Sequence, residues 1–289
     1  MRTRATAITA VVGRWWHSRL GHRLLLEMAL IGALIVSYKY VRFLARDASE
    51  PALANARRVL DIERSMGFDI EAGVQDVALR SQAFMRFINQ YYVASHFAVT
   101  FSVVFWIYLR RPAVYARLRW VLIGITLMAL AIHVAFPLAP PRMMSGTGFI
   151  DTLRDYGPSI YGSPESGAAN QFAAMPSLHF GYAALAAWGI LLSLRTRWRY
   201  LALSHPALML FSIMATANHY WLDAAAAGVL LVVVGVVVWW LVNVPEDHAA
   251  DVVSDHEESG PISHGLDPEP ADAELELVLD EDGALVDAL

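Results

Sequence analysis

Six stretches of apolar residues, separated by polar or basic loops, divide the first 244 residues of the chain. They cover residues 24–43, 88–109, 120–138, 178–194, 201–216 and 221–244. A bilayer core about 30 Å thick needs about 20 apolar residues in a helix, and several of the stretches are a little shorter than that. The pattern predicts an all-α integral membrane protein built as a six-helix transmembrane bundle.

Two further segments have a mixed pattern. Residues 1–23 are basic and contain the pair Trp15 and Trp16, which is typical of a segment at a membrane interface. Between residues 47 and 80, apolar and charged residues alternate at roughly helical spacing. This pattern favours an amphipathic helix on the membrane surface and a helical hairpin outside the membrane about equally.

Composition and charge divide the chain further. It is 56% hydrophobic and contains no cysteine, which excludes disulfide frameworks and metal sites built on sulfur. Residues 245–289 hold 15 of the 27 acidic residues and none of the 22 Lys and Arg residues, so residues 1–244 carry a net charge of +10. We therefore expect a basic interfacial segment at 1–23, a membrane domain at 24–244 and a disordered acidic tail at 245–289.

The basic loops predict the orientation in the membrane. The N-terminus, the loop at 110–119 and the loop at 195–200 are rich in arginine, and alternation of six spans puts all three on one face. The positive-inside rule makes that face cytoplasmic. The expected location is the cell membrane, with several passes and both termini in the cytoplasm. There the acidic tail is a candidate for binding a cytoplasmic partner, and a solvated tail without a dedicated partner is the simpler alternative.

Three short polar motifs stand at the ends of apolar stretches on the opposite, extracytoplasmic face. The first is Pro-Pro-Arg at 140–142, the second is Met-Pro-Ser-Leu-His at 175–179, and the third is His-Tyr-Trp-Leu-Asp at 219–223. Polar groups at the mouth of a membrane bundle are costly to bury and usually have a function. The motifs therefore predict a site at this face.

The residue types in the motifs indicate phosphate chemistry. His219 and Asp223 are four residues apart, so in a helix the carboxylate can orient the imidazole and strengthen it as a nucleophile or base. Ser177 suits the N-cap of the next helix, whose backbone N–H groups attract anions, and His179 can protonate a leaving oxygen. Arg142 can bind phosphate through two hydrogen bonds. Each residue alone also has an ordinary explanation as a structural histidine, a helix cap or a lipid-facing arginine.

This combination resembles the type 2 phosphatidic acid phosphatase superfamily. The middle motif there usually reads Pro-Ser-Gly-His, and the last motif ends in a histidine followed four residues later by an aspartate. The Met-Pro-Ser-Leu-His form at 175–179, with His-Tyr-x-x-Asp at 219–223, is most similar to the inositolphosphotransferase-like branch, which includes the inositol phosphorylceramide synthases. The resemblance covers about residues 25–244 and implies the same six-helix fold.

The resemblance implies a membrane lipid-phosphate phosphatase or phosphotransferase that cleaves a lipid phosphoester through a phosphohistidine intermediate. His219 would be the nucleophile, oriented by Asp223, and His179 would protonate the leaving alcohol. Arg142 and Ser177 would hold the phosphoryl oxygens. Water or another alcohol would then accept the phosphoryl group, and neither a metal nor another cofactor is needed.

Two cations of the usual family pattern are missing. A lysine normally stands seven residues before the first-motif arginine and an arginine six residues before the last-motif histidine, but here these positions are Ala135 and Ile213. Arg154 and His96 are candidate replacements. Further candidates for substrate contacts are Tyr220, which lies inside the third motif, and Asp151 and Arg154, which lie in the loop that follows the first.

Two other classes of function stay open. In one, His179, His219 and Asp223 ligate zinc in a metal-dependent membrane hydrolase. In the other, the chain is a non-catalytic transporter or scaffold, although the spans lack charged residues at mid-depth and show no inverted repeat. The expected partners are a lipid phosphate substrate and membrane lipids. Nucleic-acid binding is not expected, because the basic residues are spread over loops that face the membrane.

Overall fold

The computed structural model describes residues 19–44, 48–157 and 172–242, and their regular secondary structure is helical. These ranges contain nine α-helices: α1 Arg19–Leu44, α2 Ser49–Ser65, α3 Glu71–Leu79, α4 Gln82–Arg110, α5 Pro112–Ala135, α6 Thr152–Asp155, α7 Leu178–Ser193, α8 Ser204–Ala215 and α9 Trp221–Leu241. Two 3₁₀ helices cover Pro141–Met143 and Arg197–Leu203. The predicted acidic tail and most of the basic N-terminal segment lie outside the described residues.

Three of the described helices are long and apolar enough to cross a membrane. They are α4, α5 and α9, which contain or overlap the apolar stretches at 88–109, 120–138 and 221–244. α7 is also apolar but has only 16 residues. The expectation of an all-helical membrane protein is thus confirmed at this level, and the count of six spans stays a prediction.

The apolar stretch at 201–216 does not form one long helix. The 3₁₀ helix Arg197–Leu203 takes up its beginning, and α8 follows with 12 residues. Since an α-helix rises about 1.5 Å per residue, α8 alone spans only about 18 Å. Pro206 stands in the first turn of α8, where its missing N–H group has no partner in the helix to lose.

α7 is the central helix of the bundle and contacts α4, α5, α8 and α9. Its buried face consists mainly of small residues: Gly181, Ala183, Ala186, Ala187 and Gly189. Small residues allow the backbones of neighbouring helices to approach closely. A Cβ atom added at Gly189 would stand 2.6 Å from Cδ1 of Ile107 on α4 and 2.8 Å from Cδ1 of Leu118 on α5.

The mixed segment at 47–80 forms two helices, α2 and α3, where one amphipathic helix was the first interpretation. α2 buries Ala52, Ala56, Val59 and Leu60 against protein, in a cluster with Leu138, Ala139, Ala174 and Tyr220. α3 packs on α8. α2 thereby covers the loops that carry the three motifs. Whether the two helices also lie on a membrane surface stays a prediction.

The long N-terminal helix is attached to the bundle by an ion pair. Glu27 of α1 accepts a hydrogen bond from the guanidinium of Arg119 at 2.5 Å and another from the hydroxyl of Tyr115 at 2.6 Å. Both partners lie in the first two turns of α5. The contact therefore lies at the end of α5 opposite the first motif.

Candidate active site

Backbone hydrogen bonds tie the three motifs together. The N–H group of Arg142 in the first motif donates to the carbonyl of Ala217, two residues before the third motif, at 3.0 Å. The N–H group of Ser177 in the second motif donates to the carbonyl of Asp223 in the third, also at 3.0 Å. The structure thus brings together segments that lie up to 80 residues apart in the sequence.

A second link joins the loops that lead into the first two motifs. Leu138 forms an isolated parallel bridge with Ala173, in which its N–H donates to the carbonyl of Phe172 at 2.8 Å and its carbonyl accepts from Ala174 at 3.2 Å. Below the second motif, Nε2 of His133 on α5 lies 3.3 Å from the carbonyl oxygen of Pro176. These bonds leave the loop backbone few ways to shift.

The turn after α8 places His219. Ala217 has a φ of 49°, the left-handed conformation in which glycine is usual. The N–H groups of Ala217 and Asn218 donate to the carbonyls of Met214 and Ile213 at 2.8 and 3.1 Å. This is the hydrogen-bond pattern of a Schellman motif, which satisfies the last carbonyls of a helix. His219 is the next residue, so this hydrogen-bonded turn fixes its position.

The imidazole of His219 is held by two acceptors at one nitrogen. Its Nδ1 lies 2.8 Å from the carbonyl oxygen of Ala174 and 3.2 Å from Oδ2 of Asp223. Because both partners accept hydrogen bonds, Nδ1 carries the proton and Nε2 keeps its lone pair. Oδ2 of Asp223 also accepts the N–H group of Tyr220 at 3.0 Å, which caps α9.

His179 stands in the first turn of α7, close to His219. The centroids of the two imidazole rings are 5.6 Å apart. His179 is packed between Tyr92, whose ring stacks on it at 4.3 Å, and His96, whose ring centroid is 4.1 Å away. Both neighbours belong to α4. His96 was a candidate for a missing cation, and the structure places it beside His179.

Ser177 is the N-cap of α7, as its position in the sequence predicts. Its hydroxyl oxygen accepts a hydrogen bond from the N–H group of Phe180 at 3.4 Å, and the residue is fully buried. The cap places the first N–H groups of α7 beside the loop that ends in His219. Whether Ser177 also contacts phosphate stays a prediction.

Arg142 reaches the site from the 3₁₀ helix Pro141–Met143. Its guanidinium donates a hydrogen bond to the side-chain oxygen of Asn218, the neighbour of His219, and forms an ion pair with Asp151 at 3.6 Å. The Arg142 side chain is only 6% exposed. The positive charge of Arg142 is therefore buried beside Asn218, the residue that precedes the proposed nucleophile His219.

The structure separates the remaining candidates for substrate contact. Asp151 lies beside Arg142 and also caps α6 by accepting the N–H group of Arg154 at 3.2 Å. The side chain of Arg154 is exposed. Tyr220 is fully buried and packs with α2 in the hydrophobic cluster that includes Ala52 and Ala56. Direct contact of these three residues with a substrate stays a prediction.

Comparison with known proteins decides the family. The model of the PAP2 superfamily matches residues 57–238, which is well over half of the chain and includes all three motifs. The chain belongs to the PAP2 superfamily. No curated protein and no solved structure matches it. Membership supports a phosphatase-type membrane enzyme that acts on lipid phosphoesters, and it does not separate the inositolphosphotransferase-like branch from the others.

Two positions of this PAP2 protein lack the cations of the usual family pattern, and the structure shows where these positions lie. Ala135 is the last residue of α5, and Ile213 is completely buried on α8.

Among the described residues, no group of three or more His, Asp and Glu side chains is placed to hold a metal ion. The alternative in which His179, His219 and Asp223 ligate zinc stays a hypothesis.

The sequence pattern does not predict the role of two buried glutamates in this PAP2 protein. Glu63 on α2 and Glu71 on α3 accept backbone N–H groups of Leu222 and Trp221, at 3.2 and 2.7 Å. In the sequence, Glu63 is one of the charged residues that alternate with apolar ones in the mixed segment at 47–80. A signal was present, since Glu63 continues the helical stripe of Ala52, Ala56, Val59 and Leu60, which are the buried positions of α2.

Proposed function

We propose that this PAP2 protein is an integral membrane lipid-phosphate phosphatase or phosphotransferase that forms a phosphohistidine at His219. One observation carries the proposal: two acceptors, the carbonyl of Ala174 and the carboxylate of Asp223, hold Nδ1 of His219. This arrangement leaves the Nε2 lone pair available for attack on phosphorus, and it stabilises the positive charge that the ring acquires.

The first step forms an N–P bond and breaks a P–O bond. Nε2 of His219 attacks the phosphorus atom of the lipid phosphoester, and the leaving alkoxide takes a proton from His179. The two rings, 5.6 Å apart, are close enough to act on opposite sides of one phosphoryl group. A bound phosphate anion favours the protonated form of His179, because opposite charges at short range stabilise each other.

The second step releases the enzyme. His179, now neutral, takes a proton from water or from an acceptor alcohol, whose oxygen attacks the phosphohistidine and breaks the N–P bond. Arg142 and the first N–H groups of α7 balance the charge on the phosphoryl oxygens during both steps. The form of the second and third motifs favours an alcohol acceptor such as inositol, and the orientation of the basic loops favours the extracytoplasmic face.

The test measures phosphate release from a panel of lipid phosphates by the purified protein in detergent, with excess EDTA. His219→Ala is expected to lower kcat by at least about 1,000-fold, because the nucleophile is lost. The matched control is His205→Ala, since His205 is bonded to Tyr91 at 2.5 Å on the α4–α8 contact and takes no part in the proposed steps. A labelled intermediate that survives alkali and is lost in acid identifies the phosphohistidine.

Other results separate the alternatives. Release that persists in His219→Ala contradicts the proposed nucleophile. Release that EDTA abolishes favours the metal-dependent hydrolase. Transfer to an added alcohol that exceeds transfer to water identifies a phosphotransferase, and the reverse identifies a phosphatase.

A further inference from the structure

Two carboxyl groups from the helices above the site are directed at the beginning of α9. Glu63 is 0% and Glu71 is 1% exposed. Oε1 of Glu71 accepts the N–H group of Trp221 at 2.7 Å, and Oε1 of Glu63 accepts that of Leu222 at 3.2 Å. These are the first two N–H groups of α9, for which the helix itself offers no acceptor. The two glutamates therefore act together as a cap supplied from outside the helix.

This cap lies between the two residues of the proposed dyad. Trp221 and Leu222 are two of the three residues that lie between His219 and Asp223 in the sequence. The next N–H group, that of Asp223, donates to the carbonyl of Tyr220 at 3.1 Å. Movement of the first turn of α9 would change the distance between the carboxylate of Asp223 and Nδ1 of His219. Small changes of this kind are costly for a reaction that depends on alignment.

We propose that Glu63 and Glu71 are positioning residues that fix the His219–Asp223 pair for phosphoryl transfer by holding the first turn of α9. The inference rests on the proposed function, because a positioning role requires a reaction to which the geometry matters. Both glutamates act on the dyad through the backbone of Trp221 and Leu222.

Burial and neighbouring negative charge favour a proton on this pair of glutamates. Burial, and next the neighbouring Glu71, raises the pKa of Glu63 from 4.5 to about 8, and burial also raises the pKa of Glu71. From α9 and the residue before it, the pair faces Asp223 and Tyr220. Two adjacent carboxyl groups beside a third cannot all ionise without a large penalty, so one proton stays with the pair at neutral pH.

The proton makes the cap sensitive to alkali. Because the pKa of Glu63 is higher in the folded than in the unfolded protein, the protonated pair stabilises the fold fully below about pH 4.5 and loses this contribution as the pH rises toward about 8. Ionisation adds a negative charge near the carboxylate of Asp223, and the repulsion between the two disturbs the alignment of Asp223 with Nδ1 of His219. We therefore expect kcat to fall as the pH rises through about 8.

The experiment compares kcat and KM of the full-length protein on the best lipid phosphate between about pH 6 and pH 9.5. Glu63→Ala and Glu71→Ala are expected to lower kcat about tenfold or more, with KM changed by less than about threefold, since orientation and not binding is disturbed. Glu63→Gln keeps an acceptor oxygen for Leu222 but cannot ionise. It is expected to retain activity near neutral pH and to lose the alkaline fall.

Glu27→Ala is the matched control. Glu27 is also a buried glutamate, 8% exposed, but its partners Tyr115 and Arg119 lie roughly four helical turns along α5 from His133. Its removal is expected to lower the thermal stability without a comparable loss of kcat. Hydrogen–deuterium exchange at Trp221 and Leu222 is measured in parallel, and it is expected to be faster only in the Glu63 and Glu71 variants.

The outcomes separate failure of this inference from failure of the proposed function. If kcat falls no further in Glu63→Ala and Glu71→Ala than in Glu27→Ala at equal loss of stability, or if Glu63→Gln keeps the alkaline fall, the inference is wrong and the function stands. If the wild-type protein cleaves no lipid phosphate and transfers none, the function is wrong, and the exchange data alone show whether the glutamates hold α9. If the alanine variants do not fold, the pH profile of Glu63→Gln decides.

Discussion

Two hydrogen-bond acceptors, at different distances from Nδ1, determine the tautomer of His219. The carbonyl of Ala174 lies 2.8 Å from Nδ1 and the carboxylate of Asp223 lies 3.2 Å away. The carbonyl belongs to the loop before α7, so the segment that leads into the second motif helps to orient His219, the proposed nucleophile of the third. The charge of Asp223 then adds electrostatic stabilisation of the imidazolium form.

This division of roles predicts unequal effects of two substitutions. Asp223→Asn keeps an acceptor oxygen for Nδ1 and for the N–H group of Tyr220, and is expected to lower kcat about 10- to 100-fold through loss of the charge. Asp223→Ala also removes the cap of α9, and kcat is expected to fall at least about tenfold further. Steady-state kinetics on the purified variants checks this, and equal losses in the two variants would contradict the division.

The sequence predicts the pair His219 and Asp223, but not the residues that hold this pair in place. The i, i+4 spacing of His219 and Asp223 is a local property of a helix, and the capping role of Ser177 is local too, so both could be read from the chain. The contact of Nδ1 with Ala174 joins residues 45 positions apart. The burial of Glu63 depends on the packing of α2 over distant loops, which local pattern does not encode.

At the scale of elements, the bundle depends on the close approach of other helices to α7. At Gly189 the ends of Ile107 and Leu118 occupy the space in which a side chain would stand. α7 begins with the second motif, so its depth in the bundle also sets the position of His179. Packing around a small residue thus bears on the site through the axis of a helix.

A pair of glycine substitutions tests this. Gly189→Val is expected to destabilise the protein by about 1–3 kcal/mol, because two neighbours must move to admit the new side chain. Gly73→Val is the control, since Gly73 lies on the exposed face of α3 with no atom within 4 Å of its added Cβ. There a gain of a few tenths of a kcal/mol is expected from helix propensity. Thermal unfolding in detergent measures both, and equal effects would refute the packing argument.

The sequence predicted the long helices better than the short ones. Sustained apolar runs identified α4, α5 and α9, although α5 begins at Pro112, before its apolar run, because proline suits the first turn of a helix. The apolar pattern at 201–216 predicts one span, but the structure has a 3₁₀ helix followed by α8 there. Hydropathy reports burial in apolar surroundings but not which helical hydrogen bonds form.

At the scale of the whole molecule, the described helices separate a motif end from a basic end. α5 begins within the basic segment at 110–119, most of which is helical and not a loop, and it leads into the first motif, whereas α7 and α9 begin at the second and third motifs. At the other end, Nε of Arg111 donates to the carbonyl of Ser193 at 3.2 Å, which joins two of the basic segments. This separation is what the positive-inside interpretation requires.

The absence of cysteine allows a direct test of orientation. Ser145→Cys lies in the exposed loop after the first motif, and Thr196→Cys lies in the exposed basic segment after α7. In intact cells, a membrane-impermeant maleimide is expected to label Ser145→Cys at once and Thr196→Cys only after permeabilisation. The opposite pattern would place the candidate site in the cytoplasm, and the cysteine-free wild type gives the background.

The attachment of Arg142 to the turn before His219 has a mechanical consequence. Its backbone N–H donates to Ala217 and its guanidinium donates to Asn218, so Arg142 and the proposed nucleophile His219 belong to one hydrogen-bonded unit that bridges the end of α5 and the end of α8. If the helices tilt to admit a lipid from the bilayer, this unit moves as a whole. Such a movement would leave the spacing between the guanidinium of Arg142 and the turn before His219 unchanged.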